Sequence, residues 1–170
     1  MSVALPENTA FGYSYEYGVE IYDDAAKKYV PIRFISDVNP SVSPVTKSAP
    51  TYEDKGAPNE TKTSESWELS FYVQHHYTPD GQLLPELKLL RDATMPEAVG
   101  NAAVRQFLWY DKPDGTRKPD LEECFSGHGT VSLTRAATSA DGEVAGWNVT
   151  VTGKGRRTRA KHPATPTEAA

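Results

Sequence analysis

The residues from Lys62 to Tyr77 constrain the fold most, because their side chains alternate in character without a break. Trp67, Leu69, Phe71 and Val73 fall on one side of an extended chain, and Ser66, Glu68, Ser70 and Gln74 on the other. This is the period-two pattern of a half-buried antiparallel strand, with a core on one side and water on the other. Upstream, Tyr29 to Val38 reads as a second strand, with Ile32 and Phe34 on one face and Arg33 and Asp37 on the other; Pro31 places its start at an edge or bend. Between the two lies Asn39 to Thr61, polar and marked by Pro40, Pro44, Pro50, Pro58 and Gly56. A connection of about twenty residues far exceeds a hairpin loop of about two to five, so a long functional or disordered loop is expected. Its only sizeable apolar groups are Val42, Val45 and Tyr52. Ordering it at about 1–2 kcal/mol per residue therefore calls for burial against a partner.

The same reasoning places the other elements. Tyr13, Tyr15, Tyr17, Val19 and Ile21 alternate with Ser14, Glu16 and Glu20, which predicts a strand with an aromatic inner face over residues 9 to 22, closed by a turn at Asp23 to Ala26. After the turn at Thr78-Pro-Asp-Gly81, the residues Leu83, Leu84, Leu87 and Leu90 recur at helical spacing, with Pro85 suited to a first turn and Arg91 to the last. Three further strands are expected at Ala102 to Tyr110, Phe125 to Ala136 and Val144 to Thr152, with a turn at Asp111 to Gly115 and a hairpin signal at Asp141-Gly142. The last two again carry Thr and Ser between their apolar residues. These elements predict a mainly β fold, an antiparallel sandwich or barrel with one flanking helix.

At 170 residues the chain is long enough for one domain with a core, but 38% hydrophobic residues with 13 Pro and 12 Gly leave much of it as loop or arm. The expected division is a β domain over 1–153, containing the long loop 39–61, and a basic arm over 154–170. Lys154, Arg156, Arg157, Arg159 and Lys161 against Glu168 give the arm +4, so the net charge of −5 leaves −9 on residues 1–153. Such an arm either neutralises phosphate or docks on an acidic neighbouring copy; without interleaved aromatic residues to stack on bases, docking is the expectation. No apolar run reaches the roughly twenty residues of a membrane span, and the first residues lack the pattern of a signal peptide, so a soluble, cytoplasmically synthesised protein is expected.

Chemistry is sparse. No phosphate-binding loop, dinucleotide fingerprint or nucleophile elbow occurs. Cys124 has neither a partner for a disulfide nor a neighbour to activate its thiol. His75 and His76 are adjacent on a strand and point to opposite faces, so they cannot chelate together, and His128 between two glycines reads as a turn or bulge residue. No catalytic residue, metal or cofactor is expected.

Several runs, in order, carry a family resemblance: Thr51-Tyr-Glu-Asp-Lys-Gly56, Ser66-Trp-Glu-Leu-Ser-Phe71, Pro85-Glu-Leu-Lys-Leu-Leu90, Val104-Arg-Gln-Phe-Leu-Trp-Tyr-Asp111, Gly129-Thr-Val-Ser-Leu-Thr-Arg135, and Trp147-Asn-Val-Thr-Val-Thr-Gly-Lys-Gly155 leading to Pro163. Their succession resembles the major tail tube proteins of long-tailed phages with non-contractile (siphovirus-type) tails, those of actinobacterial phages in particular. The resemblance implies a virion protein whose copies close into hexameric rings, the rings stacking into a tube that conducts double-stranded DNA without binding it. It implies as partners further copies of the chain, a tape measure protein, a tail terminator and distal tail proteins, and no membrane. In such a tube the polar faces of the two strands flanking the long loop, carrying Arg33, Asp37, Glu68, Ser70 and Gln74, would line the channel. Val42, Val45, Tyr52, Glu53, Asp54 and Lys55 of the loop, with Lys154, Arg156, Arg157 and Arg159 of the arm, would contact other subunits. Two alternatives stay open: a tail terminator, joining protein or secretion-tube protein of related architecture, and a small ligand-binding jelly-roll barrel served by His75, His76 and His128.

Overall fold

In the computed structural model, which describes residues 9–115 and 117–165, Trp67, Leu69, Phe71 and Val73 are 4, 0, 3 and 0 % exposed. The alternation in this stretch therefore does mark the inner face of a strand. The described residues form eight strands, β1 (Tyr17–Asp23), β2 (Lys28–Pro31), β3 (Ile35–Ser48), β4 (Glu60–Gln74), β5 (Val104–Asp111), β6 (Cys124–Ala136), β7 (Gly146–Gly153) and β8 (Thr158–Arg159), with one α-helix, α1 (Pro85–Asp92). They make a single antiparallel sheet in the order β2-β1-β5-β6-β7-β4-β3, and β8 pairs with β6.

The sheet owes its shape to β6. Residues 124–130 of this strand pair with β5, and residues 129–136 pair with β7, so the two halves of the sheet meet along one strand. The sheet curls about β6 until Trp67 of β4 reaches Trp109 of β5, with ring centroids 5.0 Å apart. Trp67 can lie this deep because its bed is glycine: a Cβ added at Gly127 or at Gly153 would stand 2.5 Å from the indole. One continuous core results, to which β1 gives Val19 and Ile21, β5 gives Phe107 and Trp109, and β7 gives Val149 and Val151. Helix α1, started by Pro85, adds Leu87 and Leu90 at 1 and 0 % exposure. The architecture is thus an open, sharply curled sheet with β2 and β3 at its free edges.

Four expectations need correction. The segment Asn39 to Thr61 is not a loop: β3 runs on to Ser48 and pairs with β4 from Asn39 opposite Ser70 to Ser48 opposite Glu60. Main-chain bonding replaces the burial that the composition lacked. Prolines are compatible with this because β3 is an edge strand, where a nitrogen without a proton can face away from the ladder. Only 49–59 turns back, through a short 3-10 helix at Tyr52–Asp54 held by the Asp54 carboxylate, which accepts the Thr51 amide (2.6 Å) and the Asn59 side chain (3.1 Å).

The stretch Tyr29 to Val38 is two strands rather than one. Pro31 ends β2, and residues 32–34 carry the chain to the other edge of the sheet, Ile32 donating to Val19 O and Phe34 O accepting from the Gln74 amide. Phe34 (φ 58°) and Asp37 (φ 54°) adopt left-handed backbone to make that corner and the bulge after it. Before it in the chain, the first strand starts only at Tyr17. Tyr13 and Tyr15 stack on one another outside it, half or more exposed, instead of facing the core. The segment before Tyr17 is pinned by Glu16 and Asp111, both buried, whose carboxylates share the Arg117 guanidinium at 2.6–2.9 Å.

The basic segment is likewise not a free arm. Residues 154–165 lie on the body of their own chain: Thr158 and Arg159 pair with Ser126 and Phe125, and His162, 4 % exposed, bonds Asp111 O at 2.7 Å. Residues 166–170 lie outside the described residues. No helix among the described residues is long and apolar enough to cross a membrane.

Candidate functional site

The face of β4 opposite the core is polar and continues across the strands beside it. Residues directly opposite in an antiparallel pair share a face. The register therefore sets Ser41, Glu68, Thr152 and Thr130 in one row across β3, β4, β7 and β6. Asn39, Ser70, Thr150 and Ser132 form the next row, and Tyr72, Asn148 and Thr134 a third. Nearly all of these side chains are hydroxyls or amides, and Glu68, exposed, is the one charged group among them. The composition follows from the strand itself: threonine and serine satisfy β geometry while leaving nothing apolar to bury. Such a face stays hydrated and carries weak negative charge.

Of the five residues expected to line a channel, Glu68 and Ser70 sit in these rows, and Gln74, opposite Gly146 at the end of β4, continues the face while bonding His76. The other two do not belong to it. Arg33 lies in the corner between β2 and β3, where its Nε donates to Oε1 of Glu86 on α1 at 2.8 Å. Asp37 falls in the bulge that drops out of register between Ser36 and Asn39, and accepts a hydrogen bond from the Ser36 hydroxyl. The face also recruits Asn39 and Ser41, missed because their segment reads as loop. Thr130, Ser132, Thr150 and Thr152 were visible as the polar half of their strands, and only the register showed that they adjoin Glu68.

A second surface is the outer part of the β3–β4 hairpin. Strand β7 pairs with β4 only from Glu68 onward, so Ser43–Ser48 and Glu60–Ser66 have no strand partner but each other. Val42 and Val45 are 36 and 41 % exposed, and Tyr52 at the tip is fully exposed, beside Glu53. Asp54 and Lys55 shape the tip: bonds from Thr51 above all hold the Asp54 carboxyl below the usual carboxylate range, and Lys55 takes left-handed backbone at φ 48°.

The four cations of the basic segment that were expected to contact other subunits divide into two pairs. Lys154 donates to Asn101 Oδ1 at 2.6 Å, and Arg157 donates to Glu65 at 3.0 Å with its guanidinium 4.1 Å above the Phe125 ring. Arg156 and Arg159 are exposed and have no ionic partner among the described residues.

The histidines are separate. His75 packs edge-on against Trp147 at 4.3 Å, its pKa lowered by desolvation and then by Arg135. His76 stacks on Phe34 at 3.7 Å, and His128 lies opposite Gln106 on β6. Among the described residues no three His, Cys, Asp or Glu side chains gather where a metal could sit. Burial pushes the Cys124 thiol up to about 11, which leaves it protonated and unreactive at neutral pH.

No family model and no curated protein matches the sequence. Solved structures do match the fold. A sheath/tube terminator of the PVC extracellular contractile injection system, in its extended state, superposes with a TM-score of 0.52 at 12 % identity, over 89 % of this chain and 97 % of that one. The tube-terminating cap of the anti-feeding prophage superposes with a TM-score of 0.50 at 12 % identity, over 92 % and 97 %. At this identity the likeness is one of fold, and it extends over about nine tenths of this chain.

Proposed function

We propose that this chain is a structural subunit of a phage-tail-like tube, acting where the tube ends, as a terminator or joining protein. The observation that carries this reading is the four-strand polar face with Glu68 as its one charge. A closed ring of such faces makes a hydrated channel wall that gives the phosphates of a passing duplex no cation to bind. The likeness to a tube terminator and a terminating cap, each covered to 97 % of its length, supports the terminal position.

The second reading, a major tail tube subunit of a non-contractile tail, is favoured by the order of the sequence runs and by the projecting hairpin, which supplies something for a stacked ring to grip. In either case copies of the chain join head to tail by rotation into a ring, six being the number that the resemblance implies, and tape measure and distal tail proteins are partners of the assembled tail. Negative-stain microscopy of the purified protein tests both. Isolated rings of uniform diameter are the expected result; long hollow tubes favour the repeating subunit; monomers at every concentration and salt overturn both readings.

A further inference from the structure

The part of β4 that leaves the sheet is met on its other side by the corner that follows β7. Two contacts join them. The Trp67 indole donates to Gly155 O at 3.0 Å, and the Arg157 Nε donates to Glu65 Oε1 at 3.0 Å while the same guanidinium lies 4.1 Å over the ring of Phe125 on β6. Glu65 is further held by Lys62 at 3.0 Å, and its carboxyl is lowered by Lys62 and then Arg157. Arg157 and Glu65 are 23 and 12 % exposed, whereas both strands of the hairpin beyond them are open to solvent on each face. The ionic contact therefore sits at the pivot of an otherwise unsupported lever.

We propose that Arg157 is a positioning residue, a brace that fixes the angle at which the β3–β4 hairpin leaves the body. Arginine suits this position because its guanidinium is planar: one face stacks on Phe125 while the edge bonds Glu65, which a lysine ammonium cannot do together. The hairpin extends about seven residues past Trp67 at roughly 3.3 Å each, so a swing of about 10° at the root moves the tip by about 4 Å. A displacement of that size takes Tyr52 and Glu53 out of register with any fixed partner surface. The brace acts within one chain; only its consequence for assembly rests on the reading of the hairpin as a contact between copies.

The test is a distance distribution between spin labels at Glu53→Cys on the tip and Thr134→Cys on β6, in the full chain kept monomeric; Cys124 is buried and stays unlabelled. The parent should give one narrow distribution. Arg157→Ala should at least double its width, Arg157→Lys should give an intermediate width, and Arg159→Ala, which removes a neighbouring cation with no ionic partner among the described residues, should leave it unchanged. If Arg157→Ala does not fold by circular dichroism, Glu65→Ala decides, since it leaves the stacking on Phe125 intact. Parent-like width in the folded variants overturns the brace. Assembly is scored separately. Loss of rings with parent-like width also overturns it and gives Arg157 to an intersubunit contact; wide distributions with normal rings support the brace and count against the hairpin as an assembly element.

Discussion

Trp67 shows how much a single position decides. Its indole fills a trough floored by Gly127 and Gly153, where any side chain would collide with it. Gly153→Ala should therefore destabilise the protein by about 1–3 kcal/mol through overpacking, read as a fall in thermal midpoint of several degrees. Arg117 is a second such position, because Glu16 and Asp111 are buried carboxylates that depend on it. Arg117→Ala leaves both without their counter-charge and should lower the thermal midpoint at neutral pH by at least as much as Gly153→Ala does. The pH dependence has a definite sign. Arg117 above all depresses the Asp111 carboxyl in the folded state, so its stabilisation is complete above the ordinary carboxylate value near pH 4 and is lost as pH falls through the lower folded value. Acid unfolding curves of the parent and of Arg117→Ala should converge below that point; parallel curves would show that Asp111 is not the linked group.

Among the elements, legibility tracked burial. In β4 the alternation of Trp67, Leu69, Phe71 and Val73 with polar residues announced a strand, and α1 was evident from its leucines and Pro85, because in each case one face is buried and the other is not. Residues Ser41 to Ser48 of β3 have solvent on both faces, so selection for burial leaves no period in them, and Pro40 and Pro44 argue against a strand wherever its edge position is unknown. Register is invisible for the same reason, and with it the neighbourhood of Glu68. The prolines make a prediction of their own. They strip donors from the exposed edge, which blocks pairing with another chain, so Pro40→Thr combined with Pro44→Thr should leave the core intact but raise aggregation, measurable as light scattering at constant thermal midpoint. Replacing Thr46–Thr63 by Asn-Gly, which closes the hairpin at the Val45–Ser64 pair, should shift the midpoint by no more than a few degrees; if the chain is the repeating tube subunit, the same change should abolish ring-on-ring association.

At the scale of the whole molecule, charge on the polar face is the property that separates a conduit from a binding surface. Glu68→Lys changes each copy by two charges on that face, and in the proposed ring the change is repeated around the wall. Assemblies of this variant should retain duplex DNA in a salt-dependent way while parent assemblies do not, as fluorescence anisotropy would report; equal, negligible retention by both would dissociate Glu68 from the channel.

The order of strands in space also governs when the chain can become a subunit. As it is synthesised, β3 and β4 can pair at once, but β4 gains its other sheet neighbour only when β7 pairs with it, and Trp67 meets Trp109 only when β5, β6 and β7 are all in place. Until then Trp67, Leu69, Phe71 and Val73 of an incomplete chain lack the neighbours that bury them in the folded molecule. If the chain assembles as proposed, rings draw only on molecules that have been read through β7, and the distance in sequence between β4 and its partner works as a completeness check on each copy.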